Sequence, residues 1–226
     1  MEDFRKLREA GLTRIHIGME SGYDPLLAYI CKGVTAADHI EGGRKIVAAG
    51  LSLSEYIIPG LGGARWSREH AVETARVINM INPDFVRLRT LHVKNGTLLA
   101  EMMQEGNFIP LGDEDILREI RLFVDNLTDI GTTIVSDHIL NLLEELEGTL
   151  PDDKAKLLGI IDAYFRLSDQ ERLVYRLGRR RGVYRALDYL ANRPVYSELK
   201  NIIEKNNLQG SADMDRYLSR LTSRYL

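Results

Sequence analysis

Apolar residues alternate along the first 135 positions in two rhythms. Every-other spacing marks Ile15, Ile17 and Met19, then Leu51, Leu53 and Ile57, then Val86 and Leu88, the period of a strand showing one side to a core. Between these runs the apolar positions fall at helical intervals. Leu7-Arg8-Glu9-Ala10-Gly11-Leu12 and Val47-Ala48-Ala49-Gly50-Leu51 each stop a helix at glycine and lead straight into a strand. Thr35 reads as the N-cap of the helix between the first two strands. Ser67 reads as the cap of a helix to about Ile81, ended by Asn82-Pro83. The pattern predicts strands near 13–19, 51–58 and 85–91. Asn95-Gly96 then makes a turn, and Thr97 opens a short helix ending near Gly106. Asp113 opens a long helix with Ile116, Ile120, Phe123, Val124 and Leu127 on one face. Residues 132–135 read as a further short strand. From Asp137 onward the pattern is almost wholly helical, broken at Leu150-Pro151, Ser168, Gly182 and Arg193-Pro194.

Strands alternating with helices imply a parallel sheet with right-handed crossovers. The fold class is therefore α/β: a partial parallel βα barrel over 1–135, followed by an all-helical C-terminal region over 136–226. Three clear strands do not close a barrel. The chain is thus expected to begin in mid-fold and to expose a sheet edge at 13–19. Such an edge invites pairing with a missing N-terminal half of the barrel or with a second copy, giving a homodimer.

The strand sides turned away from the helices collect Arg14, His16, Glu20, Ser52, Ser54, Tyr56, Arg87 and Arg89. A filled small barrel would carry Val, Ile and Leu there. Three arginines buried with few carboxylates would cost several kcal/mol each, so this side predicts a hollow for a polar, anionic ligand. The alternative is that the arginines pair with acids elsewhere or lie at a solvated rim. Ligands of such sheets sit at the carboxyl ends of the strands. There the chain reads Gly18-Met19-Glu20-Ser21-Gly22, Pro59-Gly60-Leu61-Gly62-Gly63 and Thr90-Leu91-His92-Val93-Lys94-Asn95-Gly96-Thr97.

Composition narrows the chemistry. The 226 residues carry a net charge of −3, which gives no global attraction to nucleic acid or anionic lipid. No apolar run approaches the roughly 20 residues of a membrane span, so a cytoplasmic protein without a membrane partner is expected. The single cysteine, Cys31, excludes an intrachain disulfide and cannot hold an iron–sulfur cluster. The five histidines lie far apart without metal-ligand spacing. No metal bound by this chain alone is expected.

The order of the three strand-end runs resembles radical S-adenosylmethionine enzymes, in the branch of oxygen-independent coproporphyrinogen oxidase, the methylthiotransferases and the Elongator-type catalytic subunit. The matching runs are Ile17-Gly18-Met19-Glu20-Ser21-Gly22, Lys32-Gly33-Val34-Thr35, Ile58-Pro59-Gly60-Leu61-Gly62-Gly63 and Lys94-Asn95-Gly96-Thr97, over about residues 1–130. The resemblance implies cofactor contacts from Glu20, Ser21, Lys32, Tyr56, Gly60, Leu61 and His92, and a substrate cavity lined by Arg14, His16, Ser54, Arg87 and Arg89. It implies S-adenosylmethionine and a [4Fe–4S] cluster as cofactors of a full-length protein, neither expected on this chain alone. The family's Cys-x-x-x-Cys-x-x-Cys and Gly-Gly-Glu runs do not occur here, and Tyr56 stands where the family often has Asp. The chain is then the C-terminal portion of a longer enzyme, inactive by itself. Residues 137–226 resemble the helical tail of uncharacterised members.

Among single residues, Glu20 has a turn-capping role or a pairing with Arg14 as its alternative. Lys32 reads equally as a surface residue, and no catalytic residue is assigned. Cys31 reads as a small buried hydrophobe. Asp137-His138 has the composition of an acid/base pair but no nucleophile beside it. Arg179-Arg180-Arg181 reads as a solvated helix face, with RNA phosphate as its functional alternative. Leu157, Ile160, Ile161, Tyr164 and Phe165 read as core. Two rival functions stand beside the enzyme reading: a non-enzymatic helical scaffold on a decayed barrel, and a βα enzyme gripping phosphate with Gly60–Gly63.

Overall fold

In the computed structural model, which describes residues 2–222, the alternating segments become one five-stranded sheet. Strands β1 (Arg14–Glu20), β2 (Ser52–Ile57), β3 (Phe85–Leu88) and β4 (Thr133–Val135) lie side by side in chain order and run parallel. A short β5 (Gly148–Thr149) closes the far edge antiparallel to β4. Helices α1 (Glu2–Glu9), α2 (Asp24–Tyr29), α3 (Ala36–Ala48), α4 (Gly63–Ile81), α5 (Leu98–Gln104) and α6 (Asp113–Asp125) precede or connect the parallel strands. Helices α7 (Lys154–Arg166), α8 (Asp169–Arg180), α9 (Arg193–Lys205) and α10 (Ser211–Thr222), with a 3₁₀ turn at Leu187–Ala191, follow. The mostly parallel sheet with its helical extension is the α/β architecture the alternation predicts. β1 is the sheet's outer strand, with β2 as its one neighbour among the described residues.

The terminal signals act as read. Thr35 and Asp38 form a reciprocal capping box on α3, Thr97 caps α5, and Gly112 precedes α6. Four expectations are corrected. Helix α4 starts at Gly63, ahead of Ser67, with a break in its dihedral angles at Trp66. Strand β3 stops at Leu88, although the Arg89 and Leu91 amides still donate to the Ile57 and Pro59 carbonyls. Two helices, not one, lie between β1 and β2, because the stretch 24–29 is helix α2 with Pro25 in its first turn. Residues 136–153 are not helical. Leu142, Leu143 and Leu146 imitate helical spacing but plug the core from an irregular loop that leads into β5.

The core lies on one side of the sheet. Met19, Leu53, Val86, Leu88 and Ile134 meet Val77 and Ile78 of α4 and Ile120, Phe123 and Val124 of α6. The same apolar cluster continues without interruption into Leu157 and Ile161 of α7 and Val174 and Leu177 of α8. Each such side chain contributes about 1.5–3 kcal/mol, and their sum seats the strand ends. Leu157, Ile161 and Tyr164 are buried, with Ile160 and Phe165 packed beside them. No helix among the described residues is long and apolar enough to cross a membrane.

Candidate functional site

Strand parity brings Arg14, His16, Ser54, Tyr56, Arg87 and Arg89 to the sheet side opposite the helices. The Arg14 guanidinium lies 4.3 Å over the Phe85 ring, and its Nε donates to Ser52 Oγ at 3.1 Å. His16 and Tyr56 pack with ring centroids 5.7 Å apart, and Arg89 lies 5.1 Å over Tyr56. Arg87 and Arg89 both grip Asp137, Arg89 at 2.7 Å. Burial works to raise the Asp137 carboxyl, but Arg89 and Arg87 outweigh it and hold it below the usual carboxylate range. The expected buried arginines are thus corrected: Arg14 is exposed, and Arg87 and Arg89 are partly exposed and paired at a rim. One carboxylate against two guanidiniums leaves this patch positive. Arg87 Nε and Ser54 Oγ are buried without a partner among the described residues.

At the carboxyl end of β1 the chain turns through Glu20, whose φ of 65° follows a register shift. Glu20 Oε1 and Lys32 Nζ form an ion pair of 2.8 Å, each side chain about one quarter exposed. The partner of Glu20 is therefore Lys32 and not Arg14. Gly18 makes room for the pair: a Cβ there would stand 3.1 Å from Glu20 Oε1 and 3.5 Å from Lys32 Nζ. His39 of α3 lies within the field of both charges. Burial first, and Lys32 next, push its imidazole below its ordinary value, and its Nε2 has no partner among the described residues. On the helix side of β2, Glu55 is fully buried with both oxygens unpartnered among the described residues, and burial raises its carboxyl to about 8. Cys31 is exposed at φ 55°, which corrects its expected burial.

Behind these strand ends lies a buried polar brace. His70 Nε2 donates to the Ile58 carbonyl at 3.0 Å, so its Nδ1 is the acceptor for the Ser21 hydroxyl at 2.8 Å. Ser21 Oγ in turn accepts from the Tyr23 amide, and Thr74 Oγ1 accepts from the Gly22 amide. Glu119 of α6 accepts the Gly60 amide at 2.6 Å and stands 3.7 Å from His70 Nε2. Burial moves both toward neutrality, Glu119 up to about 7 and His70 down to about 4. A second brace is Asn141, which accepts from the Thr90 amide and hydroxyl and donates to the Leu88 carbonyl and Ser136. Arg179 and Arg180 are buried and paired with Glu144 and Asp113, which corrects their reading as a solvated face.

No protein-family model matches the chain. It is 25% identical over 120 residues to a tRNA uridine(34) acetyltransferase of Methanocaldococcus jannaschii, covering 53% of this chain and 22% of that protein. The tRNA uridine(34) acetyltransferase of Methanocaldococcus infernus is 26% identical with the same coverage. The solved structure of Methanocaldococcus infernus Elp3 with its N-terminus deleted superposes with a TM-score of 0.50 at 25% identity, over 60% of this chain and 33% of that one. Over about half of its length the chain is thus similar to archaeal Elp3-type proteins. It spans about a fifth of the length of the curated relatives it matches.

Against the Elp3-type expectations, the structure distributes the residues over three places. Glu20 and Lys32 stand together at the end of β1, and Tyr56 belongs to the cationic sheet side. Gly60 and His92 line a groove beyond β3. Ser21 and Leu61 are buried, the Ser21 hydroxyl spent on His70 and the Tyr23 amide. The residues present do not fit a [4Fe–4S] cluster, because one cysteine cannot supply its ligands. Four polar groups escaped the sequence reading. His70, Glu119 and Asn141 sit in stretches whose periodicity announces only packing, and Glu55 was visible as the polar break in Leu53-x-x-x-Ile57.

Proposed function

We propose that this chain supplies the S-adenosylmethionine-binding and substrate-facing part of a radical S-adenosylmethionine enzyme, and is inactive without cluster ligands from outside its own sequence. The reading is carried by the Glu20–Lys32 pair. A zwitterionic amino-acid end needs one cation and one anion at a strand terminus, and the half-open pair next to Gly18 offers both. S-Adenosylmethionine, when bound to a reduced cluster, supplies a 5′-deoxyadenosyl radical. Lys32 would take the cofactor's carboxylate as a point charge, and Glu20 its ammonium or a ribose hydroxyl. Tyr56, flanked by His16 and Arg89, offers a flat surface to the ribose side. Ser21, Gly60 and Leu61 act through the shape of their loops, since the Ser21 hydroxyl and the Gly60 amide are already engaged.

The cationic side of the sheet, with Arg14, His16, Ser54, Arg87 and Arg89, is the substrate-facing wall. Its single acid, Asp137, neutralises one of the two guanidiniums beside it, which favours a substrate with negative charge. Residues 2–135 carry most of both surfaces, and the helices from Lys154 onward buttress them. The unpaired edge of β1 continues the sheet toward a further part of the barrel or toward a second copy.

The test is anaerobic preparation of the complete gene product, cluster reconstitution and assay for 5′-deoxyadenosine. The reading expects 5′-deoxyadenosine from the complete product and none from the 226-residue chain. A complete product that yields none would transfer the chain to the scaffold reading.

A further inference from the structure

Beyond β3 a groove of about 950 Å³ opens between the loop 90–95, the segment 109–113 leading into α6, the end of α8 and one side of α10. The helical region, through Arg180 of α8 and Ala212, Asp215, Arg216, Leu218 and Ser219 of α10, forms about a third of its wall. Its floor is Arg180. That side chain is 7% exposed, and its Nη2 is held by Asp113. Its Nη1 is buried with no partner among the described residues. A guanidinium N–H removed from water and left unpaired is unfavourable, and it is oriented for an acceptor that enters the groove.

Further basic side chains accompany it. His138 lies within the field of Arg180, Arg89 and His92, and its Nδ1 is also buried and unpartnered among the described residues. His92 and Lys94 stand exposed on the opposite rim, and Lys94 makes no ion pair with a described residue. The acids do not cancel this surplus. Asp113 and Asp215 are matched by Arg176 and Arg180, and Asp213 by Arg216. Donors from the β3 loop and from α8 therefore line one groove, with His138 of the β4 loop in the field of Arg180. A tetrahedral oxyanion can accept from donors on both sides of such a groove, whereas a carboxylate accepts in one plane.

We propose that this groove binds the terminal phosphate of a phosphorylated small molecule, with Arg180 as its buried anchor and Lys94 as its rim cation. A phosphomonoester suits the floor better than a phosphodiester, because a chain passing through needs two exits from a nearly buried anchor. Gly60 lines the groove, but the glycine run offers the phosphate no free amide of Gly60, Leu61 or Gly63. There the Gly60 amide is spent on Glu119, the Leu61 amide on Ile58 and the Gly63 amide on Gly60. The groove gives the helical region a binding role of its own.

The experiment is calorimetric titration of the 226-residue chain with adenosine monophosphate, adenosine, inorganic pyrophosphate and a short unphosphorylated oligonucleotide. Adenosine monophosphate and pyrophosphate are expected to bind, and adenosine and the oligonucleotide are not. Arg180→Lys keeps the charge but loses the planar fork, and it should weaken binding at least tenfold. Lys94→Gln, on the exposed rim where folding is not at stake, should weaken it roughly three- to fivefold. The proposal is overturned if neither phosphate probe binds at about 10 mM, if adenosine binds as well as its phosphate, or if Lys94→Gln binds like the parent. Binding of the oligonucleotide alone would also overturn it, in favour of a phosphodiester groove.

Discussion

Glu55 places a carboxyl among Leu53, Ile57 and Val86 with neither oxygen hydrogen-bonded to a described residue. Burial raises it to about 8, with Lys32 pulling weakly the other way. The folded state therefore keeps a proton that the unfolded chain releases near its ordinary value of 4.5. Stability falls as pH rises from there toward 8, by roughly 1 kcal/mol per unit while the proton is held. Between pH 7 and 8 Glu119, raised to about 7, adds a share to the decline, so the Glu55 part is read from the Glu55→Gln comparison. Chemical denaturation at pH 7 and pH 8 should show it, and Glu55→Gln should flatten it and raise the melting temperature at pH 8 by several degrees. Equal pH slopes for the two proteins would mean that the carboxyl is solvated. The same residue marks a limit of sequence reading. Its position on the apolar side of β2 follows from parity, but charge alone does not announce that nothing pairs with it.

Gly22 is where the β1 loop meets α4. A Cβ there would stand 2.6 Å from the Glu73 carbonyl oxygen and 2.8 Å from Thr74 Cα, both backbone. Gly22→Ala must push the loop off α4 and break the Gly22–Thr74 and Ser21–His70 bonds, and it should destabilise the fold by about 2–4 kcal/mol in urea titration. Ser168 closes a capping box with Glu171 at the start of α8, the helix that presents Arg176, Arg179 and Arg180. Ser168→Ala should cost about 1 kcal/mol by the same measurement. Caps of this kind were legible where Thr35 and Thr97 stand at the turn of a period, whereas Ser168 showed only as a break in the helical pattern. The loop 136–153 was not. Its leucines have helical spacing, and only the tertiary demands of Asn141 and Ser136 on the β3 and β4 ends show why the chain stays irregular there.

Sheet and helical region are joined by charge as well as by the continuous apolar core. Arg176, fully buried, pairs with Asp113 at the start of α6 and with Asp215 of α10, and Arg180 adds a second contact to Asp113. Arg176 and Arg180 hold the Asp113 carboxyl below its usual range, against burial that works to raise it. Removing one member of a buried network leaves the others uncompensated, so Asp113→Ala should lower stability by about 3–5 kcal/mol. Loss of less than 1 kcal/mol would mean that water already reaches the network. The parallel order of the strands and the shared side of Arg14, Tyr56 and Arg87 were legible from period-two spacing. The burial of Arg179 and Arg180 was not, because a run of three arginines reads as surface until Asp113 and Glu144 are brought beside it.

On the proposed reading, the ion pair at the end of β1 is the point at which the zwitterionic end of the cofactor is received. The most direct measurement is the affinity of the reconstituted complete gene product for S-adenosylhomocysteine, which binds without reacting, before and after Lys32→Met. At least a tenfold loss, with unchanged melting temperature, is the expected result. Undiminished affinity in the Lys32→Met protein would contradict it.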